Sequence, residues 1–437
     1  MTPKRSSGLG PLENGQLVAI VGGGPAGVSC AIALRNLAQQ MGRDLRVLLY
    51  EGKVFSGLAP HYNQCAGVLS PPIEQILWQK LQVPFPWHLV QRRLTGYILH
   101  SDRCQLLLTG DNEICYVVRR VQFDDYLLEQ AAARGVEVIH SRVTDLEFHA
   151  DHVLIYSESD TQEADVVVGA FGLDDGTARM FERVSGYRPP KFLDSVVTKV
   201  HPSPEFLEQF GNVIHAFLPS LPEIEFGAVT PKGNHLTINI AGARVNSHSM
   251  GRFLALPAVR SILPGPHQMA PPDTPRAADD FKRFKGKFPV SVARGIFGDR
   301  FVIVGDAAGL IRPFKGKGVN AGCIGGAAVA ENMMRHGISR RAFAEFLRSH
   351  PYCQEVLEDR LYARLLRWLA SASANRGFLD AVLELAEREE RLRRALFYCV
   401  SAHRPYKQIV WETVDLRLGI KATRAVGLAL LRSAMHY

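Results

Sequence analysis

The residues that could do chemistry begin with three glycines that follow a short apolar run. Gly22, Gly24 and Gly27 form the pattern G-x-G-x-x-G, a helix-compatible segment follows, and a second apolar run at residues 45–50 ends at Glu51. This spacing is typical of a β–α–β unit that binds a dinucleotide, because the glycines allow a tight turn, close approach of a pyrophosphate and close packing of helix on strand. The helix N-terminus would offer free N–H groups to the phosphates, and the glutamate would accept a hydrogen bond from a ribose. The residues expected to hold the dinucleotide here are Gly22, Gly24, Pro25, Ala26, Gly27 and Glu51.

Two further segments indicate which dinucleotide is bound. Residues 300–309 form an apolar strand that runs into G-D-A-A-G, and residues 164–172 form an apolar strand and turn in the middle of the chain. The first resembles the second FAD fingerprint of the glutathione-reductase-like and aromatic-hydroxylase flavoproteins. The second resembles the A-D-x-V-V-x-A-D-G segment of the same families, with Phe171 in place of the usual acid. The resemblance implies that the cofactor is FAD and that Asp306 contacts its ribityl chain.

Three more segments resemble the geranylgeranyl reductase family. Residues 62–70 resemble its C-G-G-x-x-S segment, residues 119–127 its R-x-x-F-D-x-x-L helix start, and residues 313–320 its P-x-x-G-x-G-I loop over the isoalloxazine. The resemblance covers roughly residues 15–335 and implies that Cys65 is a catalytic residue at the substrate face of the flavin. The cofactor-binding residues that it implies in addition are Arg120, Gly305, Asp306, Gly316, Gly318, Val319 and Asn320.

One segment departs from that family. Its lipid reductases carry a Y-x-W-x-F-P signature that lines the substrate tunnel, and the equivalent segment here starts at Phe226. Ala228 stands where the family has tryptophan, and Thr230 stands where it has the last aromatic residue. The resemblance implies that these three residues contact the substrate. The lost ring favours an apolar substrate that is bulkier or more cyclic than a linear isoprenoid chain.

Composition sets the outer limits on function. The chain has 437 residues, of which 46% are hydrophobic and 22% charged, with a net charge of +8. This is an ordinary globular mixture, and the positive charge favours an acidic electron-carrier protein or an anionic membrane surface as partner. The bases are dispersed without a nucleic-acid motif, so no nucleic-acid partner is expected. An amphipathic segment at residues 416–435 favours peripheral membrane contact or packing on the protein itself.

The cysteines bear on compartment and metal content. The seven cysteines include no C-x-x-C pair, a usage typical of a reducing cytoplasm. Iron–sulfur clusters need grouped thiolates, so no metal is expected. This argues against an electron-transfer-flavoprotein:quinone oxidoreductase, whose flavin domain is otherwise similar. We expect a cytoplasmic protein that can associate with a membrane at its periphery.

The pattern of apolar runs predicts an α/β fold. It has an FAD-binding Rossmann-like domain of the glutathione-reductase type, an inserted antiparallel-sheet substrate domain and a C-terminal helical region. The expected bounds are a disordered lead-in at 1–15, an FAD-binding domain at 16–80, 110–185 and 290–335, a substrate domain at 81–109 and 186–289, and helices at 336–437.

The function expected from these features is the reduction of a carbon–carbon double bond in an apolar lipid, isoprenoid-like or polycyclic substrate by hydride from reduced FAD. Only one G-x-G-x-x-G is present, so electrons would come from transiently bound NAD(P)H or from reduced ferredoxin. Two alternatives stay open at this point. One is an FAD-dependent monooxygenase that uses a C4a-peroxyflavin, and the other is a non-catalytic flavoprotein scaffold or redox sensor.

Overall fold

The structure is a computed structural model that describes residues 8–55, 65–110, 113–271, 280–311, 317–375 and 378–413. The predicted cofactor residue Gly316 and the amphipathic segment at residues 416–435 lie outside the described residues.

The strands and helices are numbered in chain order. The strands are β1 (Leu17–Val21), β2 (Arg46–Tyr50), β3 (Val68–Leu69), β4 (Val90–Leu94), β5 (Gly96–His100), β6 (Gln105–Thr109), β7 (Cys115–Val118), β8 (Glu137–Ile139), β9 (Val143–Phe148), β10 (Val153–Ser157), β11 (Thr161–Ala164), β12 (Val166–Gly169), β13 (Phe192–Val200), β14 (Val213–Phe217), β15 (Phe226–Lys232), β16 (His235–Gly242), β17 (Phe284–Pro289), β18 (Phe297–Gly298) and β19 (Phe301–Ile303). The helices are α1 (Pro25–Gln40), α2 (Ile73–Leu81), α3 (Arg120–Ala132), α4 (Asp175–Ser185), α5 (Pro204–Phe210), α6 (Ser247–Ala255), α7 (Pro257–Arg260), α8 (Gly318–Arg335), α9 (Arg340–Ser349), α10 (Pro351–Asn375), α11 (Phe378–Arg388), α12 (Glu390–Ser401) and α13 (Tyr406–Thr413).

A six-stranded sheet carries the dinucleotide fingerprint. Its order is β18-β19-β12-β1-β2-β8, and every neighbouring pair is parallel except β18–β19. The central strand β1 is buried along its whole length, which is why it reads as a continuous apolar run rather than an alternating one. The β–α–β unit predicted around Gly22 is therefore present, with α1 between β1 and β2.

A seven-stranded sheet forms the second layer, in the order β17-β13-β16-β15-β14-β5-β6. Its neighbouring pairs are antiparallel except for β14 and β5, which are parallel. The exception arises because the β5–β6 hairpin is contributed by an earlier part of the chain and joins the edge of the later strands. Both segments predicted to form the inserted domain thus contribute strands to one sheet, and the predicted fold class is confirmed.

The N-terminal lead-in differs from the prediction. Residues 1–15 were expected to be disordered, but Leu12 is fully buried and its N–H donates to the carbonyl of Met333 at 3.1 Å. The carbonyl of Leu9 accepts from the N–H of Ile338 at 3.0 Å. The expectation is wrong for residues 8–15, because two leucines among polar residues are enough to pack this segment against the end of α8.

The C-terminal region is helical, as its 3.6-residue periodicity predicted. Helices α11 and α12 pack against β5 and β6, and α10 and α13 pack against these helices. The apolar cluster between them includes Tyr97, Leu99 and Phe397. On the outer side, Trp368 of α10 and Trp411 of α13 are exposed. No helix in the described ranges combines the length and the apolar character needed to cross a membrane.

Candidate functional site

A cleft of about 520 Å³ opens where the carboxyl ends of β1, β2 and β12 meet the start of α8. Parallel sheets bind ligands at this edge. Its lining includes most of the predicted cofactor residues, namely Gly22, Gly24, Pro25, Ala26, Glu51, Arg120, Gly305, Asp306, Gly318 and Val319. The two FAD motifs, distant in sequence, therefore face one cavity. Gly27 and Asn320 lie beside the cleft rather than in its lining.

The three fingerprint glycines have different tasks. Gly22 has a φ of +111°, and a Cβ there would lie 2.5 Å from the carbonyl oxygen of Ala170. A Cβ on Gly27 would lie 2.0 Å from the carbonyl oxygen of Gly22, so this glycine permits close helix–strand packing. A Cβ on Gly24 would meet nothing within 4 Å. The open space at Gly24 faces the cleft and fits the close approach of a pyrophosphate to the backbone.

Glu51 directly follows β2, and its side chain lies against the glycine turn at Gly23. One carboxylate oxygen accepts from the N–H of Gly23 at 2.9 Å, and the other accepts from the N–H of Lys53 at 2.9 Å. These bonds fix the orientation of the carboxylate, and each oxygen keeps a further lone pair. The group can therefore accept ribose hydroxyls, and its contact with a dinucleotide stays a prediction.

At the far end of the cleft, Arg120 and Asp306 form the charged wall. The guanidinium of Arg120 pairs with Asp124 one helical turn away at 2.9 Å, and both side chains are largely buried. Burial disfavours the charged arginine, but Asp124, Cys65 and Asp306 outweigh that effect and raise the pKa of Arg120. Burial raises the pKa of Asp306, while Arg120 lowers it. Arg120 therefore lines the cleft, and its contact with FAD stays a prediction.

The start of α8 completes the cavity. A Cβ on Gly318 would lie 3.2 Å from a carboxylate oxygen of Asp306, so the helix begins directly against the aspartate. Val319 is buried and lines the cleft. Asn320 is also buried, but its side-chain amide donates to the carbonyl of Ser70 at 3.0 Å. Asn320 therefore ties α8 to the segment that follows β3.

The cleft fits FAD on the chemistry of its groups: an open backbone approach at Gly24, an oriented carboxylate for a ribose, and the N-termini of α1 and α8 for anionic oxygens. The sequence reasoning missed the outer wall near Glu51, which includes Arg142 and Asp174. Arg142 packs across Gly52, whose Cβ position lies 2.3 Å from the arginine Cγ. The sequence signal for Arg142 was its position shortly after β8, a parallel strand of the dinucleotide-binding sheet.

Cys65 lies near the end of the cleft formed by Arg120 and Asp306, but it is not in the lining of the cleft. The thiol is half-buried, and its sulfur accepts from the N–H of Gly67 at 3.3 Å. Gly67 has a φ of +73°, and a Cβ there would lie 2.0 Å from the carbonyl oxygen of Val118. This glycine is required where the loop pairs with β7, and it fixes the position of Cys65. His61 and Tyr62, which precede Cys65 in sequence, lie outside the described residues.

The predicted substrate residues occupy one face of β15. Phe226 and Ala228 are half-buried and Thr230 is buried, with the period-two spacing of a strand. Ala228 packs against the apolar cluster shared with the C-terminal helices. Among the described residues, none of the three lines the FAD cleft. Their face, the inward face of β15, is opposite the Val229 side that packs against α6, and their contact with a substrate stays a prediction.

Lys232 continues that face and was not assigned by the sequence reasoning. It is 5% exposed, and its ammonium donates to the carbonyl of Cys65 at 3.5 Å. The pKa of Lys232 is lowered to about 8, mainly by burial. Cys65 opposes this shift, whereas Arg119, Arg120 and Lys199 add to it. The available signal was its register, two residues beyond Thr230 on the inward face.

Comparison with known proteins agrees with this site. The FAD-NAD(P)-binding family matches residues 19–174. Mitochondrial electron transfer flavoprotein-ubiquinone oxidoreductase from Caenorhabditis elegans is 33% identical over 176 residues, which cover 38% of this chain and 28% of the relative. The mouse protein is 32% identical over 141 residues, 28% of this chain and 20% of the relative. The chain thus spans about a quarter of the length of these curated relatives. Its seven cysteines are free thiols.

Solved structures are similar over nearly the whole chain. A geranylgeranyl bacteriochlorophyll reductase-like protein from Thermoplasma acidophilum has a TM-score of 0.61 at 18% identity, over 91% of this chain and 98% of that one. A p-nitrophenol 4-monooxygenase from Pseudomonas putida has a TM-score of 0.65 at 17% identity, over 90% of this chain and 100% of that one. The chain has the fold of the FAD-dependent oxidoreductases that include both. The resemblance to geranylgeranyl reductase-like flavoproteins is confirmed at the level of the fold.

Proposed function

We propose that this protein binds one FAD and reduces a carbon–carbon double bond of an apolar substrate. The observation that carries the proposal is the course of the cleft. It starts at Glu51 and ends at Asp306 and Arg120, next to Cys65 and the inward face of β15. A substrate held against that face would meet the end of the cofactor that reacts.

FAD, when bound and reduced, supplies the hydride. The chain's own groups then have separate tasks. Glu51 and the turn at Gly24 hold the adenosine and pyrophosphate portions, and Asp306 with Arg120 fixes the ribityl end. The half-buried Ala228 and the buried Thr230 exclude water from one side of the substrate. Cys65 borders the reacting region, where a proton must be delivered to the second carbon of the double bond.

The electron donor would bind transiently, because the sequence has one dinucleotide fingerprint. NAD(P)H and reduced ferredoxin are the two candidates. The net charge of +8 supports an acidic carrier protein, whose association would weaken as salt screens the attraction. Rates of flavin reduction by NADPH and by reduced ferredoxin at low and high ionic strength separate the two donors. Only the carrier-dependent rate should fall steeply with salt.

The test of the proposed reaction is anaerobic turnover with geranylgeraniol and with a polycyclic alkene, followed by mass spectrometry of the product. Reduction adds two hydrogens to the substrate, and both carry deuterium when the flavin is reduced chemically in deuterated water, because the N5–H of reduced flavin and the proton donor exchange with solvent. Absence of reduced product from both substrates, with fully reduced flavin, would contradict the proposal.

A second candidate is oxygen-dependent hydroxylation. It is supported by the likeness to the p-nitrophenol 4-monooxygenase, whose TM-score of 0.65 is above the 0.61 of the reductase-like structure. The same substrates are therefore incubated under isotopically labelled oxygen. Incorporation of one labelled oxygen atom into product, with no reduced product under anaerobic conditions, favours hydroxylation over reduction.

A further inference from the structure

Lys232 is a buried cation without a carboxylate partner among the residues that the structure describes. Its side chain is 5% exposed, and in the described part of the chain its ammonium has no carboxylate partner. Its hydrogen bond goes to the carbonyl of Cys65 at 3.5 Å, which is a long contact. A buried charge without a partner is costly, so such groups are normally paired or hydrogen-bonded.

The neighbours of Lys232 make the region more positive rather than less. The charged and titratable groups that face it are Cys65 from the loop before β3, Arg119 and Arg120 from the start of α3, Lys199 from β13 and His235 from β16. Asp124 neutralises Arg120, and both of its carboxylate oxygens bond to that arginine. Asp124 is therefore not a partner for Lys232. The local field therefore favours an anion beside Lys232.

Polar side chains extend this region along the inward face of the sheet. Thr230 lies directly opposite Thr237 in the β15–β16 ladder, and Ala228 lies opposite Asn239. Opposed residues of an antiparallel pair share a face, so both threonines and the asparagine stand on the same side as Lys232. The apolar cluster under the C-terminal helices begins at Ala228. The face thus changes from apolar to cationic toward the flavin end.

We infer that Lys232 binds an anionic oxygen of the substrate, so that the substrate has an apolar body and a carboxylate, phenolate or phosphate oxygen next to the flavin. This rests on the proposed function and narrows its substrate class. Hydride transfer leaves negative charge on the second carbon of the double bond, and where a carboxylate conjugated with that double bond carries part of this charge, the ammonium of Lys232 stabilises it. The buried site adds strength, since charge-assisted hydrogen bonds gain from low local dielectric.

The test uses matched ligand pairs whose members differ in charge: decanoate with 1-decanol, and 2-naphthoate with 2-naphthylmethanol. Binding is followed by the change in the visible flavin spectrum of the FAD-loaded protein. Wild type should bind each carboxylate roughly tenfold or more tightly than its alcohol, the preference expected for one hydrogen bond to a charged group. Lys232→Met should abolish that preference and leave FAD content unchanged. Lys285→Met, at an exposed position of β17 at the edge of the same sheet, is the matched control and should keep that preference.

A second measurement does not depend on a variant. Because burial is the main cause that lowers the pKa of Lys232 to about 8, the affinity of wild type for the carboxylates should fall between pH 7 and pH 9, while the affinity for the alcohols stays constant. Equal affinity for acids and alcohols in wild type, or a preference that survives in Lys232→Met, overturns the anion site and leaves the proposed reduction standing. Loss of FAD from Lys232→Met shows that the lysine serves the cofactor, which also overturns it. Failure of all four ligands to perturb the flavin counts against the inference and against the proposed apolar substrate together.

Discussion

Ala26 of α1 and Gly326 of α8 are in direct backbone contact: a Cβ on Gly326 would lie 2.2 Å from the carbonyl oxygen of Ala26. Ala26 belongs to the first FAD motif, and α8 follows the second. A Cβ on Gly305 would also approach the Ala26 methyl to 2.8 Å. This close packing brings both motifs to the same cleft, although they are far apart in the sequence.

Gly326→Ala tests that packing. The added methyl meets a backbone carbonyl that cannot move aside, so we expect a loss of about 1–3 kcal/mol in the free energy of unfolding and weaker FAD binding. Gly325→Ala is the control, because its Cβ would meet only the ring edge of Tyr352 at 3.2 Å and alanine has the better helix propensity. Denaturant titration of both variants measures the difference. Equal stability of the two variants would contradict the close contact between Gly326 and the backbone of Ala26.

Cys65→Ser tests the catalytic assignment at the flavin face. The two side chains have similar shape, and the N–H of Gly67 can donate to either. We expect normal FAD content and loss of most turnover on the true substrate. Cys104→Ser, in the turn between β5 and β6, should retain full activity. Full activity of Cys65→Ser would reduce this cysteine to a packing role.

Arg120→Met tests the buried ion pair. The substitution leaves the Asp124 carboxylate, which is 4% exposed, without its partner. Breaking a buried pair in this way costs about 3–5 kcal/mol, and FAD affinity should fall with the lost positive charge. Arg46→Met breaks the half-exposed pair with Glu137 and should cost about 1 kcal/mol or less. A similar small cost for both variants would contradict the described burial of the Arg120 pair.

A pair of histidines predicts acid sensitivity. His100 and His215 are buried, and their ring nitrogens are 2.9 Å apart. Burial lowers the pKa of each to about 4, and His215 contributes to the shift of His100. Well above pH 6.5 both rings are neutral whether the chain is folded or not. Between pH 6.5 and 4 the unfolded chain takes up protons that the folded protein does not, so stability falls as pH falls, by up to about 3 kcal/mol per ring.

The corresponding measurement is the free energy of unfolding from pH 8 to pH 4 by denaturant titration. The double variant His100→Gln/His215→Gln should show a shallower loss in this window than wild type. The control His248→Gln changes an exposed ring and should follow the wild-type profile. A double variant as acid-sensitive as wild type would show that other groups cause the loss.

The parts of the site that could be predicted from sequence are those set by local geometry. The spacing of Gly22, Gly24 and Gly27 after a buried strand specifies a turn and a helix start, so the turn after β1 and the start of α1 could be predicted. The burial of Lys232 could not be predicted, because it results from the packing of the Cys65 loop and α3 against a hairpin far away in sequence. Leu12 was missed for the same reason, since its partner lies at the end of α8.

The central claim is that FAD occupies the cleft at Gly24, and FAD content per chain tests it most directly. The backbone at Gly24 is extended, with φ −72° and ψ 177°, and a side chain there meets no protein atom within 4 Å. Gly24→Val should therefore fold normally and lose FAD, because its side chain occupies the path of the pyrophosphate. Gly10→Val, which also has open space around it, should keep one non-covalent FAD per chain, as wild type does. A full complement of FAD in Gly24→Val, or none in wild type after incubation with FAD, would contradict the account.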